Sequence, residues 1–79
     1  MPTVLRVGSL RFFFYAGDRA EPPHVHVERG ERLAKFWLKP VRLSRSSGFS
    51  GSELTRLENL VVSRSEQFLE SWEEFFGGT

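Results

Sequence analysis

Apolar and polar residues alternate through the first half of the chain, a period of two that indicates β-strands. The pattern predicts strands at about 3–7, 10–16, 24–28 and 32–39. Gly8-Ser9 separates the first two strands and has glycine at the first central position, as a type II′ hairpin turn requires. This turn predicts the cross-strand pairs Val7 with Leu10, Arg6 with Arg11, Leu5 with Phe12, and Val4 with Phe13.

Arg29-Gly30 separates the third and fourth predicted strands and leaves two registers open. A two-residue loop pairs Val25 with Ala34, whereas a three-residue loop ending at Gly30 pairs Val25 with Leu33. The two-residue loop aligns the apolar faces of both strands. Because the hydrophobic pattern normally decides register, we expect the two-residue loop.

The last thirty residues carry apolar side chains at helical spacing. Ser50 and Glu53 fit a capping box before a first helix, and Ser63 and Glu66 fit the same signature at a break. A second helix is expected to run to about Phe76, where Gly77-Gly78 would end it.

These elements predict an α+β fold with two layers. A four-stranded antiparallel sheet, spanning about 3–43, packs on two C-terminal helices, spanning about 51–76, in a single domain of residues 1–79. Val41–Leu43 is a short extension after Pro40, and residues 44–49 are a linker or an ordered loop.

The composition removes several classes of protein. The 79 residues include no cysteine, which excludes disulfides, thiol nucleophiles and cysteine-ligated zinc. No apolar run approaches the roughly 18 residues of a membrane span, and no secretory signal is visible. We therefore expect a cytoplasmic protein without membrane contact.

Strand alternation places cationic and aromatic side chains on the sheet face that the helices would leave bare. Residues 1–49 hold nine Arg or Lys against four Asp or Glu, a net charge of +5, whereas residues 50–79 have a net charge of −4. Rings between cations suit single-stranded nucleic acid, and they equally suit a protein interface. A third alternative is that the sheet curls and packs this face on residues 40–49. The predicted binding residues are Arg6, Arg11, Phe13, Tyr15, Lys35 and Trp37.

The most distinctive segment is EPPHVHV, in which His24 and His26 point to the same side of a strand. One interpretation is metal ligation, with Glu21, Glu28 or Asp18 as a further oxygen ligand. Two histidines without a third nearby are a weak metal signal, so we predict no metal site and no cofactor.

Two other interpretations of the histidines remain. In one, His24 and His26 are the catalytic residues of general acid–base chemistry on a phosphodiester, with Arg6, Arg11 or Lys35 stabilising the charged transition state. In the other they are structural or contact a partner. The sequence alone does not decide whether the protein is an enzyme.

The string PTVLRVGSLRFFFYAGDRAEPPHVHVERG, followed by AKFWL, SGSELTRLENLV and LESWEEFF, resembles a small bacterial family, domain of unknown function 4160. The resemblance covers almost all of the chain. Ala16-Gly17 stands where members often have serine, and the turn at Arg29-Gly30 is shorter. Such proteins are often encoded next to a small partner of another uncharacterised family, in what is considered a toxin–antitoxin module.

The resemblance implies that this chain is the toxin-side component, with a cognate antitoxin protein as its partner; it supplies no catalytic residue. Our leading hypothesis is that the basic aromatic sheet face binds the antitoxin, RNA or DNA, or both classes. The alternatives are a non-toxic regulatory module that binds nucleic acid or protein without turnover, and a metal-independent ribonuclease using His24 and His26. A homodimer joined through strand edges or the aromatic face is a further alternative.

Overall fold

The computed structural model describes residues 3–77. Seven regular elements and one short 3₁₀ segment follow each other along the chain. They are β1 (Thr3–Val7), β2 (Leu10–Phe13), the 3₁₀ segment (Ala16–Ala20), β3 (His24–Arg29), β4 (Arg32–Leu38), β5 (Val41–Ser47), α1 (Gly51–Ser63) and α2 (Ser65–Phe76). The α+β class, with an antiparallel sheet followed by two helices, is confirmed.

The sheet has five strands in the order β1-β2-β3-β4-β5, and every neighbouring pair is antiparallel. The prediction of four strands was wrong, because Val41–Ser47 forms β5 and includes most of the expected linker. Ser46 pairs with Ala34 and Arg45 with Lys35. β5 is an edge strand with one neighbour and exposed side chains, and pairing with β4 stabilises it. Its sequence is too polar to show the hydrophobic alternation from which strands are predicted.

The β1–β2 hairpin has the predicted register near its turn. Val7 pairs with Leu10, Arg6 with Arg11 and Leu5 with Phe12, and Gly8 has a φ of 58°. Phe13 pairs with Thr3 instead of Val4, because the ladder is irregular between Thr3 and Leu5. β2 ends at Phe13 and not near residue 16, since the chain turns into the 3₁₀ segment.

The predicted register of the β3–β4 hairpin was wrong by two residues. Val25 pairs with Phe36 and Val27 with Ala34, and the turn is Gly30-Glu31. Gly30 has a φ of 59°, a conformation that glycine adopts without steric cost. A shift of two residues keeps each side chain on its face, so the predicted separation of apolar and polar faces is retained.

The apolar face of the sheet packs on the two helices and forms the core. Phe68 of α2 is fully buried, with its ring centroid 5.3 Å from that of Phe12, and Trp72 lies 5.2 Å from Phe14 in an edge-on contact. The remaining buried members of this core are Leu10, Val25, Val27, Ala34, Phe36, Leu38, Leu57 and Val61. Within the described part of the chain, neither helix is long and apolar enough to cross a membrane.

The first predicted capping box is confirmed. The Ser50 hydroxyl accepts the Glu53 N–H at 3.2 Å, and the Ser50 N–H donates to the Glu53 carboxylate at 2.8 Å. A break between the helices occurs at Arg64, but the second capping box does not form, since the Ser63 hydroxyl donates to the Leu60 carbonyl. α2 ends at Phe76, and its C-cap is Gly77, which has a φ of 84°; Gly78 lies outside the described residues.

Candidate functional site

The strand pairing brings the predicted binding residues together on the face opposite the main core. We call this surface the open face, and it consists of three rows across the sheet together with Tyr15. The rows are Arg6, Arg11, Glu28, Leu33 and Ser47; Phe13, His26, Lys35 and Arg45; and His24, Trp37 and Arg42.

β5 adds two arginines to the open face that the sequence analysis missed. Arg45 pairs with Lys35 and Arg42 with Trp37, while Ser44 is an extra residue at an irregularity of the ladder. Because of this extra residue, Arg42 and Arg45 lie on the same face although they are three positions apart. Simple alternation assigns Arg42 and Arg45 to opposite faces, so only knowledge of this irregularity would have identified the pair.

Cations already cover two of the aromatic rings on the open face. The Arg11 guanidinium lies 4.2 Å from the centre of the Phe13 ring, and the Lys35 ammonium lies 4.6 Å from that of Trp37. Phe13 was expected to be accessible, but it is only 1% exposed because Arg11, Tyr15 and His26 surround it. Tyr15 is 41% exposed and is the most accessible of these rings.

Acidic side chains of the same chain neutralise two of the cations. Glu28 binds Arg11 at 2.5 Å and so reduces the repulsion between the like charges of Arg6 and Arg11, which face each other across β1 and β2. Glu21 binds the buried Lys35 ammonium at 2.6 Å, and this hydrogen bond is the main cause of the lowered pKa of Glu21. The neutralised positions therefore contribute little net charge for an external ligand.

Three arginines of the open face keep their charge available. Among residues 3–77, Arg6, Arg42 and Arg45 make no ion pair. Arg45 lines a groove of about 260 Å³, together with Tyr15, His26, Leu33 and Lys35. The groove therefore combines an unpaired guanidinium with exposed apolar surface at the β5 side of the open face.

The histidines of β3 meet Asp18 at one end of the open face. The His24 Nδ1 carries a proton that it donates to the Pro22 carbonyl at 2.8 Å, and the other ring nitrogen, Nε2, lies 3.1 Å from Asp18 Oδ1. His26 Nε2 donates to Asp18 Oδ2 at 3.0 Å. We call these three residues the Asp–His cluster.

The 3₁₀ segment holds the carboxylate of the Asp–His cluster in place. The Tyr15 N–H donates to Asp18 Oδ2 at 2.8 Å. Burial raises the pKa of Asp18, but the Tyr15 N–H and the neighbouring imidazoles outweigh it, and the pKa is lowered overall. Burial also lowers the pKa of His26, against the attraction of the Asp18 carboxylate. At neutral pH the cluster therefore contains a carboxylate next to an uncharged His26.

The two candidate catalytic histidines differ in access. His24 is 0% exposed, and its ring lies 5.5 Å from that of Trp37 and 5.2 Å from that of Trp72 in α2. His26 lines the groove and retains some exposure. The His24 side chain is therefore enclosed by Trp37 and by Trp72 of α2, and of the two histidines only His26 can touch a ligand in the groove.

A family model matches residues 9–73. The chain belongs to the family described as "Domain of unknown function (DUF4160)". The match runs from the β1–β2 turn into α2 and includes every open-face residue except Arg6. Searches of curated proteins and of solved structures found no match.

Proposed function

We propose that the open face binds an acidic segment of a second protein, and that this partner is the antitoxin of a toxin–antitoxin pair in which the chain is the toxin-side component. The observation that carries the proposal is the set of arginines on the open face without an ion pair, Arg6, Arg42 and Arg45, of which Arg45 lines a partly apolar groove. Cations without an internal partner attract carboxylates and increase the rate of association with an acidic protein.

The outer edge of β5 offers backbone groups to the same partner. β5 pairs with β4, and no other strand of the described chain pairs with it. A sheet edge presents unpaired N–H and C=O groups, and an extended peptide can add to it as a further strand. An acidic segment added there lies next to Arg42 and Arg45, so backbone hydrogen bonds and charge attraction act together.

The arrangement of the rings favours a protein over single-stranded nucleic acid. Nucleic acid binding of this kind requires aromatic faces on which bases stack. Arg11 occupies one face of Phe13 and Lys35 one face of Trp37, and Phe13 is buried. The exposed Tyr15 and the partly exposed Trp37 remain, which together are too small a platform for several successive bases.

Catalysis by the two histidines receives less support. A general base must come within hydrogen-bond distance of the proton that it removes. His24 is enclosed, and the His26 Nε2 is engaged by Asp18. We therefore propose binding as the primary function of the open face.

The proposal is tested by co-expressing the chain with the product of the adjacent gene and measuring the affinity of the purified partners. The test variant is Arg45→Glu. The matched control is Arg56→Glu, which reverses the same charge on an exposed arginine of α1, in the helical layer. Removing an anchoring arginine costs roughly 1–2 kcal/mol, so we expect Arg45→Glu to weaken binding about tenfold and Arg56→Glu to leave it unchanged.

The affinity of the chain for its partner is also expected to fall as salt is added. Expression of the chain alone is expected to slow bacterial growth, and co-expression of the partner is expected to restore it. Equal affinity for the wild type and Arg45→Glu would remove the open face from the interface. Tight binding to single-stranded RNA, without binding to the adjacent gene product, would contradict the choice of partner. Normal growth despite confirmed binding would refute the toxin role alone.

A further inference from the structure

The Asp–His cluster has the composition and spacing of a metal site. Asp18, His24 and His26 each offer one ligand atom, and these atoms lie within 4.8 Å of one another. We propose that the cluster binds a divalent transition metal ion of the zinc type. The proposal goes beyond the function proposed for the open face and does not depend on it, because no partner protein is required.

The distances from Asp18 to the two imidazoles are close to those around an ion of this size. Asp18 Oδ1 lies 3.1 Å from His24 Nε2, and Asp18 Oδ2 lies 3.0 Å from His26 Nε2. Tetrahedral coordination with bonds of roughly 2.0–2.1 Å separates ligand atoms by about 3.3 Å. Small side-chain adjustments therefore convert the cluster into a coordination site, with displacement of the proton on His26 Nε2.

The His24 Nε2 atom points to a missing ligand. It is buried, it makes no hydrogen bond, and it lies next to Asp18 Oδ1. When the ring is uncharged its proton is on Nδ1, which donates to the Pro22 carbonyl, and the lone pair on Nε2 is directed towards Asp18. A backbone carbonyl that fixes the tautomer and orientation of an imidazole is a usual outer partner of metal-binding histidines. A cation between Nε2 and the carboxylate would satisfy both groups.

The surroundings favour zinc-type ions over magnesium or calcium. Imidazole nitrogens suit Zn²⁺, Co²⁺ and Ni²⁺, whereas Mg²⁺ and Ca²⁺ prefer oxygen ligands. The rings of Tyr15, Trp37 and Trp72 lie 4.7–5.5 Å from the imidazole rings and shield the cluster in part from water. Three protein ligands leave a coordination position for water or another small ligand.

This proposal departs from the expectation of no metal site, which depended on finding two histidines without a third histidine nearby. The third ligand comes from the 3₁₀ segment, whose fold places Asp18 over β3. The other acidic candidates are engaged elsewhere, since Glu21 binds Lys35 and Glu28 binds Arg11.

The test uses the untagged full chain, freed of metal with a chelator, and titrates it with Zn²⁺ in a calorimeter, with Mg²⁺ as a comparison. Asp18→Asn and His26→Gln remove ligands with little change in volume. Glu28→Gln is the matched control, because it removes a carboxylate from β3 on the face that carries His24 and His26. Circular dichroism without metal establishes that each variant is folded. Substituting Co²⁺ and recording the visible spectrum, and following the imidazole ¹⁵N shifts with Zn²⁺, report coordination directly.

We expect one Zn²⁺ per wild-type chain and no Mg²⁺ binding. Loss of an outer partner of a metal ligand typically lowers metal affinity roughly 10–100-fold. Asp18→Asn and His26→Gln remove ligands themselves, so we expect a greater loss of Zn²⁺ affinity, whereas Glu28→Gln should bind Zn²⁺ like the wild type. In the wild type, Zn²⁺ should move the imidazole ¹⁵N shifts of both His24 and His26. This measurement needs no variant, so it tests the proposal even if a variant does not fold. Absence of Zn²⁺ binding, or equal binding by Asp18→Asn and His26→Gln, would overturn the proposal and leave the cluster as a purely structural contact.

Discussion

Two phenylalanines of α2 provide a direct test of how the helices cover the sheet. Phe68 is 0% exposed and packs on Phe12, whereas Phe75 is 40% exposed and lies at the edge of the core. Both are changed to alanine. The helix, the residue type and the atoms removed are the same, so the difference between the variants measures burial alone.

The expected magnitudes follow from burial. Truncation of a fully buried phenylalanine costs about 3–5 kcal/mol, since it removes apolar contact and leaves a cavity. Full burial of such a side chain contributes about 1.5–3 kcal/mol, so the partly buried Phe75, which leaves no closed cavity, should cost about 1–2 kcal/mol. At roughly 0.05–0.15 kcal/mol per residue, the total free energy of unfolding for 79 residues is about 4–12 kcal/mol.

The assay is urea unfolding followed by the fluorescence of Trp37 and Trp72. With a slope of about 1 kcal/mol per molar urea, Phe68→Ala lowers the midpoint by about 3 M or more, and Phe75→Ala by about 1–2 M. Phe68→Leu, which leaves a smaller cavity, gives a measurable midpoint if Phe68→Ala does not fold. Equal midpoints for the Phe68 and Phe75 variants would refute the packing of α2 described above.

Two further predictions concern the loop after β5 and the start of α1. Gly48 has a φ of 91°, and a Cβ there would lie 3.0 Å from Arg32 Cγ, so Gly48→Ala should destabilise the protein by roughly 1–3 kcal/mol in urea unfolding. Gly17, where an added Cβ meets no atom within 4 Å, is the control, and Gly17→Ala should be neutral or stabilise by up to about 1 kcal/mol; the opposite ranking would contradict the turn geometry. The hydrogen bond from the Ser50 N–H is the main cause that lowers the pKa of Glu53 below its ordinary 4.5, and the nearby arginines add to it. The Glu53 carboxylate therefore stabilises the fold fully above pH 4.5, and this stabilisation is lost as the pH falls through the pKa of the folded state. Glu53→Gln should therefore weaken the dependence of the urea midpoint on pH between roughly pH 5 and pH 3, and an unchanged dependence would show that the carboxylate is not held by the cap.

Local turn chemistry explains what could be predicted of the fold. The turn at Gly8-Ser9 specifies a two-residue loop, which determines the pairing of Leu5 with Phe12 before any tertiary contact is considered. The capping box at Ser50 marks the start of α1 for the same reason, since both partners lie within four residues of each other. The β3–β4 turn has no equally specific sequence, because glycine at position 30 is compatible with loops beginning at either neighbour.

β5 was missed because its stability comes from outside the segment. Ser44, Arg45, Ser46 and Ser47 have the composition of a linker, and all are exposed. Their strand conformation depends on the backbone of β4, whose presence as a neighbour cannot be inferred from the local pattern. Arg45 was missed for this reason, and its position on the same face as Arg42 was missed because of the irregularity of the ladder at Ser44.

The Asp–His cluster shows the same limit at the scale of a site. The alternation of β3 placed His24 and His26 on one face, as predicted from their spacing. Selection of Asp18 over Glu21 and Glu28 depends on the path of the 3₁₀ segment and on which carboxylates the nearby cations engage. Neither is encoded in a pattern of residue types.

The most direct test of the proposed function is to titrate the ¹⁵N-labelled chain with the product of the adjacent gene and record the backbone amide shifts. The account predicts that the changes concentrate on Tyr15, β4 and β5, with the greatest effects near Arg42 and Arg45, while the helical layer is little affected. Changes confined to α1 and α2, with β5 unperturbed, would contradict it.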